Sequence, residues 1–147
     1  MRRALHAAMA AHWLFLASVV TAPAGWWLVR GQHAAPAAPA DAWALCCVLL
    51  LYPCLEECCF RGGVQPWLAA RRIGRGRLAG CSATNLITSL LFVAAHVPGQ
   101  PLAWAAATLL PSLLLGALRE RYGRVAPAAV LHIWFNAGLA WPMAGAG

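Results

Sequence analysis

The sequence predicts an all-α fold, a polytopic transmembrane helix bundle with about five spans. Hydrophobic residues make up 62% of the 147 residues and charged residues only 10%, which leaves too little polar surface for a soluble domain. The apolar residues fall into five blocks, and each is near the roughly 20 residues that a helix needs to cross hydrocarbon. All basic residues are arginines, and most lie in short clusters between the blocks.

The five blocks follow one another along nearly the whole chain, at about residues 8–29, 42–70, 78–97, 102–118 and 125–143. Gly62, Gly63 and Pro66 are expected to bend or end the second block, and Pro111 to kink the fourth. Residues 1–41 are expected to form an N-terminal helix and a Pro/Ala-rich loop, and residues 42–147 the core. The first block also has features of a signal peptide, but its length favours a retained helix.

The arginines predict the orientation of the bundle in the membrane. Arg2 and Arg3 precede the first block, and further arginines lie at 71–77 and 119–124, between the second and third and between the fourth and fifth blocks. With five spans all three clusters fall on one side, which the positive-inside rule makes cytoplasmic. Only Arg30 falls on the other side. This localisation, in a bacterial inner membrane, explains the basic charge better than nucleic-acid binding, because no basic face interleaved with aromatics is present.

Six cysteines lie at 46, 47, 54, 58, 59 and 81. A disulfide scaffold is not expected, because five of these thiols fall in a block that enters lipid. Cys54 and Cys58 share a helix face at i, i+4, which leaves metal binding open, although free cysteine is commonly a small buried hydrophobe.

Several strongly polar side chains remain inside the apolar blocks after the loops are set aside. An ionisable side chain at the centre of a membrane helix costs about 2.5–3.5 kcal/mol on insertion scales, so a group of them indicates a functional site inside the bundle. The candidates are Glu56, Glu57, Arg61, His96, His132 and Asn136.

The spacing of these residues favours convergence on one water-filled pocket. Glu57 and Arg61 are i, i+4 neighbours and can form an ion pair, whereas Glu56 points about 100° away and is free to act as a general base. His132 and Asn136 are also i, i+4 and present one polar stripe. His96 closes the third block, where a histidine standing alone could simply be interfacial.

Three motifs in this order resemble a known family. EECCFR (56–61) matches EExxxR, FVAAH (92–96) matches FxxxH, and HIWFN (132–136) matches HxxxN. The set is similar to the CPBP family, also called Abi, of CAAX proteases and bacteriocin-processing enzymes, which are glutamate-type intramembrane endopeptidases related to type II CAAX prenyl endopeptidases. The resemblance covers about residues 45–143.

The resemblance implies a role for each candidate residue, with no metal or other cofactor. Glu56 would activate a water that His96 helps to hold, and His132 and Asn136 would donate hydrogen bonds to the oxyanion. Glu57 and Arg61 would support the site. The implied partners are the lipid bilayer and a peptide or protein with a membrane-associated terminus.

Other functions are compatible with the same residues. Glu56, His96 and His132 could hold zinc in a membrane hydrolase, since three ligands and a water form a catalytic set, although no HExxH helix is present. A non-catalytic immunity or scaffold protein would keep the fold and bind a partner. A small transporter could use intramembrane Glu and His as a proton relay, but five spans without a repeat disfavour it.

Overall fold

The structure, a computed structural model, describes residues 2–32, 39, 41–78 and 80–140, and it is all-α as predicted. Of the Pro/Ala-rich loop predicted at 31–41, residues 31 and 32 are helical instead. Residues 33–38 and 40 lie outside the described residues, as does the end of the fifth block, 141–143. The elements in chain order are helices α1 (Arg2–Gln32), α2 (Ala42–Ala69), α3 (Ala83–His96), α4 (Leu102–Ala107), α5 (Leu109–Tyr122) and α6 (Ala126–Ala140), with a 3₁₀ turn (Arg72–Arg75) and strands β1 (Arg77–Leu78) and β2 (Cys81–Ser82).

The third apolar block is less helical than the sequence predicts. Strands β1 and β2 pair antiparallel through Gly80, whose positive φ of 81° favours glycine. Helix α3 then begins at Ala83, because the Ser82 hydroxyl accepts the Asn85 backbone N–H at 3.0 Å and caps the helix. The resulting 14 residues are about 21 Å long, shorter than the hydrocarbon core.

Two helices in the described part of the chain are long and apolar enough to cross a membrane, namely Ala42–Ala69 and Leu102–Tyr122, the latter formed by α4 and α5. Helices α3 and α6 are apolar but shorter. Five spans therefore stay a prediction. Large apolar side chains are nevertheless exposed on the outer surface, among them Trp13, Val20 and Leu55, as expected for a protein surrounded by lipid.

Helix α2 does not end at Gly62, Gly63 or Pro66, in contrast to one of the two expected outcomes. It continues to Ala69 and changes to π-helical hydrogen bonding over Cys58–Val64, as it does over Cys47–Leu51. The wider turn lets the chain pass Pro66 without a break, because the carbonyl that the proline cannot bond is moved one residue back.

The interruption expected at Pro111 lies three residues earlier. Thr108 forms a turn between α4 and α5, and Pro111 occupies the first turn of α5. A proline has no N–H for the carbonyl of Ala107 and its ring crowds that carbonyl, so the preceding turn opens.

One end of the bundle is held by polar contacts among several helices. The His12 ring nitrogen Nδ1 lies 3.3 Å from the Tyr122 hydroxyl. The Glu120 carboxylate accepts hydrogen bonds from the Ser82 hydroxyl and from the Gln65 amide. We call this the arginine end, because the clusters at 71–77 and 119–124 adjoin it.

The opposite end of the bundle is held by different contacts. The Trp26 and Trp134 rings pack with centroids 5.2 Å apart, and the Asn136 amide donates to the carbonyl of Val48 at 2.9 Å. Helices α1, α3 and α6 therefore begin at the arginine end, and α2 and α5 finish there.

The close approach of α3 and α5 at Gly116 predicts a stability effect. A Cβ at this position would overlap the Asn85 side chain, whose amide donates to the Leu113 carbonyl at 2.9 Å. Alanine in a helix gains up to about 1 kcal/mol over glycine, but overpacking costs about 1–3 kcal/mol. We therefore expect Gly116→Ala to lower the unfolding temperature of the purified protein in detergent.

The matched control is Gly25→Ala, because Gly25 is also helical and an added Cβ there meets nothing within 4 Å. If Gly116→Ala and Gly25→Ala both unfold at the wild-type temperature or above it, the packing of Gly116 on Asn85 is contradicted.

Candidate active site

The site is built on a buried ion pair within α2. The Arg61 Nε and Glu57 Oε2 atoms are 3.2 Å apart, and both side chains are 0% exposed. The contact is an ion pair without hydrogen-bond alignment. The i, i+4 spacing predicts this pair, and the structure contains it. A buried charge of either sign alone would be costly, so each member allows the other to lie in the interior.

Arg61 links α2 to two other helices. Its Nη2 atom donates to the Ser112 carbonyl at 2.8 Å and to the Ser112 hydroxyl at 2.6 Å, both on α5. Its guanidinium carbon lies 5.6 Å from the centre of the Phe92 ring on α3, within the range of a cation–π contact. The sequence gives little sign of Ser112, a small polar residue that follows Pro111.

His132 on α6 lies between the two glutamates. Its Nδ1 atom is 3.0 Å from Glu57 Oε1, and its Nε2 atom is 3.6 Å from Glu56 Oε2. Since the Glu57 carboxylate accepts, Nδ1 carries the hydrogen of that bond. The second distance is too long for a direct hydrogen bond. Glu57 therefore orients the imidazole and leaves Nε2 beside Glu56.

Glu56 differs from Glu57 in its surroundings. The Glu56 side chain is 32% exposed and has no arginine partner in the described contacts, whereas Glu57 is enclosed and paired. The expectation that the adjacent carboxylates have separate tasks agrees with this difference.

His96, the last residue of α3, is oriented by its own helix. Its Nδ1 atom lies 2.8 Å from the Phe92 carbonyl, and a carbonyl only accepts, so Nδ1 carries the hydrogen. Nε2 is then the ring nitrogen left to accept a hydrogen bond from another group. The Phe92 ring also packs on His96 and His132, with centroids 4.4 Å and 5.8 Å apart.

Asn136 is oriented by a carbonyl that a proline leaves free. In the first π-helical stretch the Tyr52 N–H bonds to the Cys47 carbonyl, so the next N–H in this register would bond to Val48. The residue that would have to supply this N–H is Pro53, which has none. Asn136 Nδ2 donates to the Val48 carbonyl instead, at 2.9 Å, and its second hydrogen stays available to a ligand.

One cavity of about 520 Å³ brings these side chains together. Glu56, His96, His132 and Asn136 are all part of its wall, while Glu57 and Arg61 lie behind it with no exposure. Most of the remaining wall is apolar. The arrangement combines a carboxylate, two imidazoles and an amide around a space large enough for a peptide segment.

Helix α1 contributes a wall that sequence reasoning missed. Ser18, Thr21, Ala22, Gly25 and Trp26 all line the cavity. Small and apolar residues in a membrane helix carry no recognisable signal of such a role, so no pattern in the sequence could have identified them.

The structure gives less support to the two metal-binding alternatives, zinc in the cavity and a metal at Cys54 and Cys58, than to a site without a metal. Within the described residues, no group of three His, Cys, Asp or Glu side chains lies close enough to share a metal ion, and this applies to Glu56, His96 and His132. All six cysteines are free thiols. Burial, followed by the nearby Glu120, raises the pKa of the Cys81 thiol at the arginine end.

The Glu57–Arg61 pair predicts non-additive stability effects. Arg61→Met leaves Glu57 buried without its arginine partner, and losing one partner of such a pair costs about 3–5 kcal/mol. The double variant Glu57→Gln, Arg61→Met removes both charges and keeps an oxygen for His132. We expect the double variant to unfold at a higher temperature in detergent than Arg61→Met alone, and the reverse order would contradict the buried pair.

Comparisons with known proteins identify the family. A search of curated proteins and a search of solved structures gave no match. The family model described as type II CAAX prenyl endopeptidase Rce1-like matches residues 38–138, about two thirds of the chain and most of the residues around the cavity. The match to this family model indicates that the chain is an integral membrane protein and that its substrates are peptides or proteins. The chain belongs to the Rce1-like family of type II CAAX prenyl endopeptidases.

Proposed function

We propose that this protein is an intramembrane endopeptidase that hydrolyses a peptide bond near the carboxyl terminus of a membrane-associated protein or peptide. The observation that carries the proposal is that Glu56, His96, His132 and Asn136 all line the same cavity. Family membership supports endopeptidase activity in general. The order of the three motifs supports the CPBP (Abi) branch.

The reaction begins with a water held by Glu56 and His96. Glu56 removes one proton as the water oxygen attacks the peptide carbonyl, and His96 Nε2 accepts the second O–H as a hydrogen bond. His96 can do so because its Nδ1 hydrogen is already bonded to Phe92. General-base catalysis of this kind contributes about 10²–10⁴-fold in rate.

His132 and Asn136 stabilise the tetrahedral intermediate. The second Nδ2 hydrogen of Asn136 and a hydrogen on His132 Nε2 bond to the oxyanion, and one such donor is worth about 10²–10³-fold. In this mechanism His132 is an imidazolium before and after the step and exchanges no proton, and the Glu57 carboxylate on Nδ1 stabilises its positive charge. Glu56 then returns its proton to the amine as the C–N bond breaks, leaving a carboxyl terminus and a free amine.

The proposal extends to the membrane arrangement. Five helical segments cross the bilayer in alternating directions, with residues 1–41 as an N-terminal helix and loop and residues 42–147 as the protease core. The contacts at the arginine end and the opposite end support this alternation. The protein is then a multi-pass protein of a bacterial cell membrane.

Loss of the general base Glu56, or of His96, which holds the water, is expected to reduce cleavage strongly. In reconstituted vesicles with candidate membrane-anchored peptides, Glu56→Gln should reduce kcat by about 10²–10⁴-fold, and His96→Ala should also reduce it strongly. Cleavage is measured by mass spectrometry of the products. The controls are Glu120→Gln and His12→Ala, which change the same residue types outside the cavity wall.

Cleavage that persists in both cavity variants would contradict the peptidase proposal. Loss of wild-type cleavage in a chelator and its return with zinc would instead support the zinc hydrolase. A cellular effect of the protein that survives Glu56→Gln would support the non-catalytic scaffold.

A side chain added at Gly25 tests whether substrate occupies the cavity. Gly25 lines it, and a Cβ there meets nothing within 4 Å, so the side chain of Gly25→Leu starts in open cavity space and takes up part of it. A misfit of one methylene is worth about 1–3 kcal/mol, or roughly 10–200-fold in kcat/KM. We expect a loss in this range for Gly25→Leu and none for Gly63→Leu, because Gly63 is also helical and exposed, lies outside the cavity wall, and would bring an added Cβ only into ordinary contact with the Cys58 carbonyl at 3.9 Å. If the kcat/KM of Gly25→Leu equals that of the wild type, the substrate lies elsewhere.

A further inference from the structure

The cavity lies in one half of the bundle. Its lining residues on α2 are Val48, Tyr52 and Glu56, which reach from near the start of that helix to its middle, and none of them lies towards the arginine end. On α3 and α6 the order is reversed because these helices run the other way. There the lining residues fall near the carboxyl ends, with His96 and Ala140 as examples.

Two connections at the opposite end also reach the cavity. Pro39 precedes α2 and Gln100 precedes α4, and both line the cavity. Connections between membrane helices lie at the bilayer surface, since backbone outside a helix is not tolerated in lipid. The cavity therefore extends to the membrane surface at the opposite end.

The arginine clusters fix the side of the membrane on which each end lies. The cluster at 71–77 follows the last residue of α2, the cluster at 119–124 begins in the last turn of α5, and Arg2 and Arg3 lie at the start of α1. Arg30 is the single arginine near the opposite end. An excess of this size on one side assigns that side to the cytoplasm.

We infer that the cavity opens on the extracytoplasmic side of the membrane, and that the substrates are peptide segments of translocated proteins presented there. The opening follows from the geometry and the charge distribution, and the substrate class rests in addition on the proposed endopeptidase function. A cytoplasmic tail would have to cross the polar and apolar contacts of the arginine end to reach Glu56. A juxtamembrane segment on the other side meets Gln100 and Pro39 directly.

Single cysteines at the two ends test the opening. In a variant with all six native cysteines replaced, Gln100→Cys reports on the cavity mouth and Ala70→Cys on the arginine end, where Ala70 is exposed and every arginine is kept. The protein is expressed in a bacterial host, and intact spheroplasts are treated with a membrane-impermeant maleimide. We expect Gln100→Cys to be labelled in intact spheroplasts, and Ala70→Cys to be labelled only after permeabilisation.

Labelling of Ala70→Cys before permeabilisation, whether or not Gln100→Cys is also labelled, would overturn the inference. The labelling requires no catalysis, so its outcome is independent of the proposed function. A protein that labels as expected but cleaves nothing would contradict the peptidase and leave the orientation of the cavity intact.

The substrate class has its own measurement. New carboxyl termini are compared by proteomics in cells that carry the wild type or Glu56→Gln. Termini that depend on Glu56 are expected in extracytoplasmic segments next to the membrane. Glu56-dependent termini in cytoplasmic segments would confirm a peptidase and overturn the inferred substrate class.

Discussion

The ion pair between Glu57 and Arg61 is the constraint around which the bundle is arranged. Each charge in hydrocarbon costs about 2.5–3.5 kcal/mol on insertion scales, and neither side chain is exposed. The pair is tolerated because one atom of each member also reaches another helix, Arg61 Nη2 through Ser112 on α5 and Glu57 Oε1 through His132 on α6. The two helices that carry these residues are therefore held at a fixed distance from α2, and the cavity forms between them.

Two prolines in α2 serve the same purpose by different chemistry. Pro53 and Pro66 each follow a π-helical stretch, and each leaves the carbonyl five residues earlier without its N–H partner. The Val48 carbonyl then accepts from Asn136, and the Arg61 carbonyl accepts from Arg119 Nε at 2.9 Å. In lipid an unsatisfied carbonyl is costly, so each proline creates a demand that a side chain of a neighbouring helix meets. One contact lies at the cavity and the other towards the arginine end.

The sequence was sufficient for the features that depend on the cost of polar groups in an apolar solvent. The helical blocks, the Glu57–Arg61 contact and the gathering of Glu56, His96, His132 and Asn136 around one space could be predicted, because few other arrangements avoid isolated polar groups in lipid. The catalytic roles stay predictions.

Features that depend on local hydrogen-bond competition could not be predicted from the sequence. The Ser82 hydroxyl accepts the backbone N–H of the residue three positions later and caps the helix there. This cap shortens α3, because it competes with helical structure in the apolar residues before it. A possible end of α2 was indicated by Gly62, Gly63 and Pro66. The helix continues instead, because the π-helical register and the Arg119 side chain accommodate these residues, and single-residue propensity includes neither. A count of apolar residues also overestimated the length of the third helix.

Helix α1 lies before residue 38, where the family match begins, and yet it forms a wall of the cavity. It is held there by apolar packing and by single contacts such as Trp134 Nε1 to the Val19 carbonyl at 3.2 Å, and it supplies none of the residues proposed for the chemistry. A change of residues on α1 alone would therefore alter the shape of the cavity, and with it the segments that fit there, while the groups proposed for the hydrolysis keep their positions.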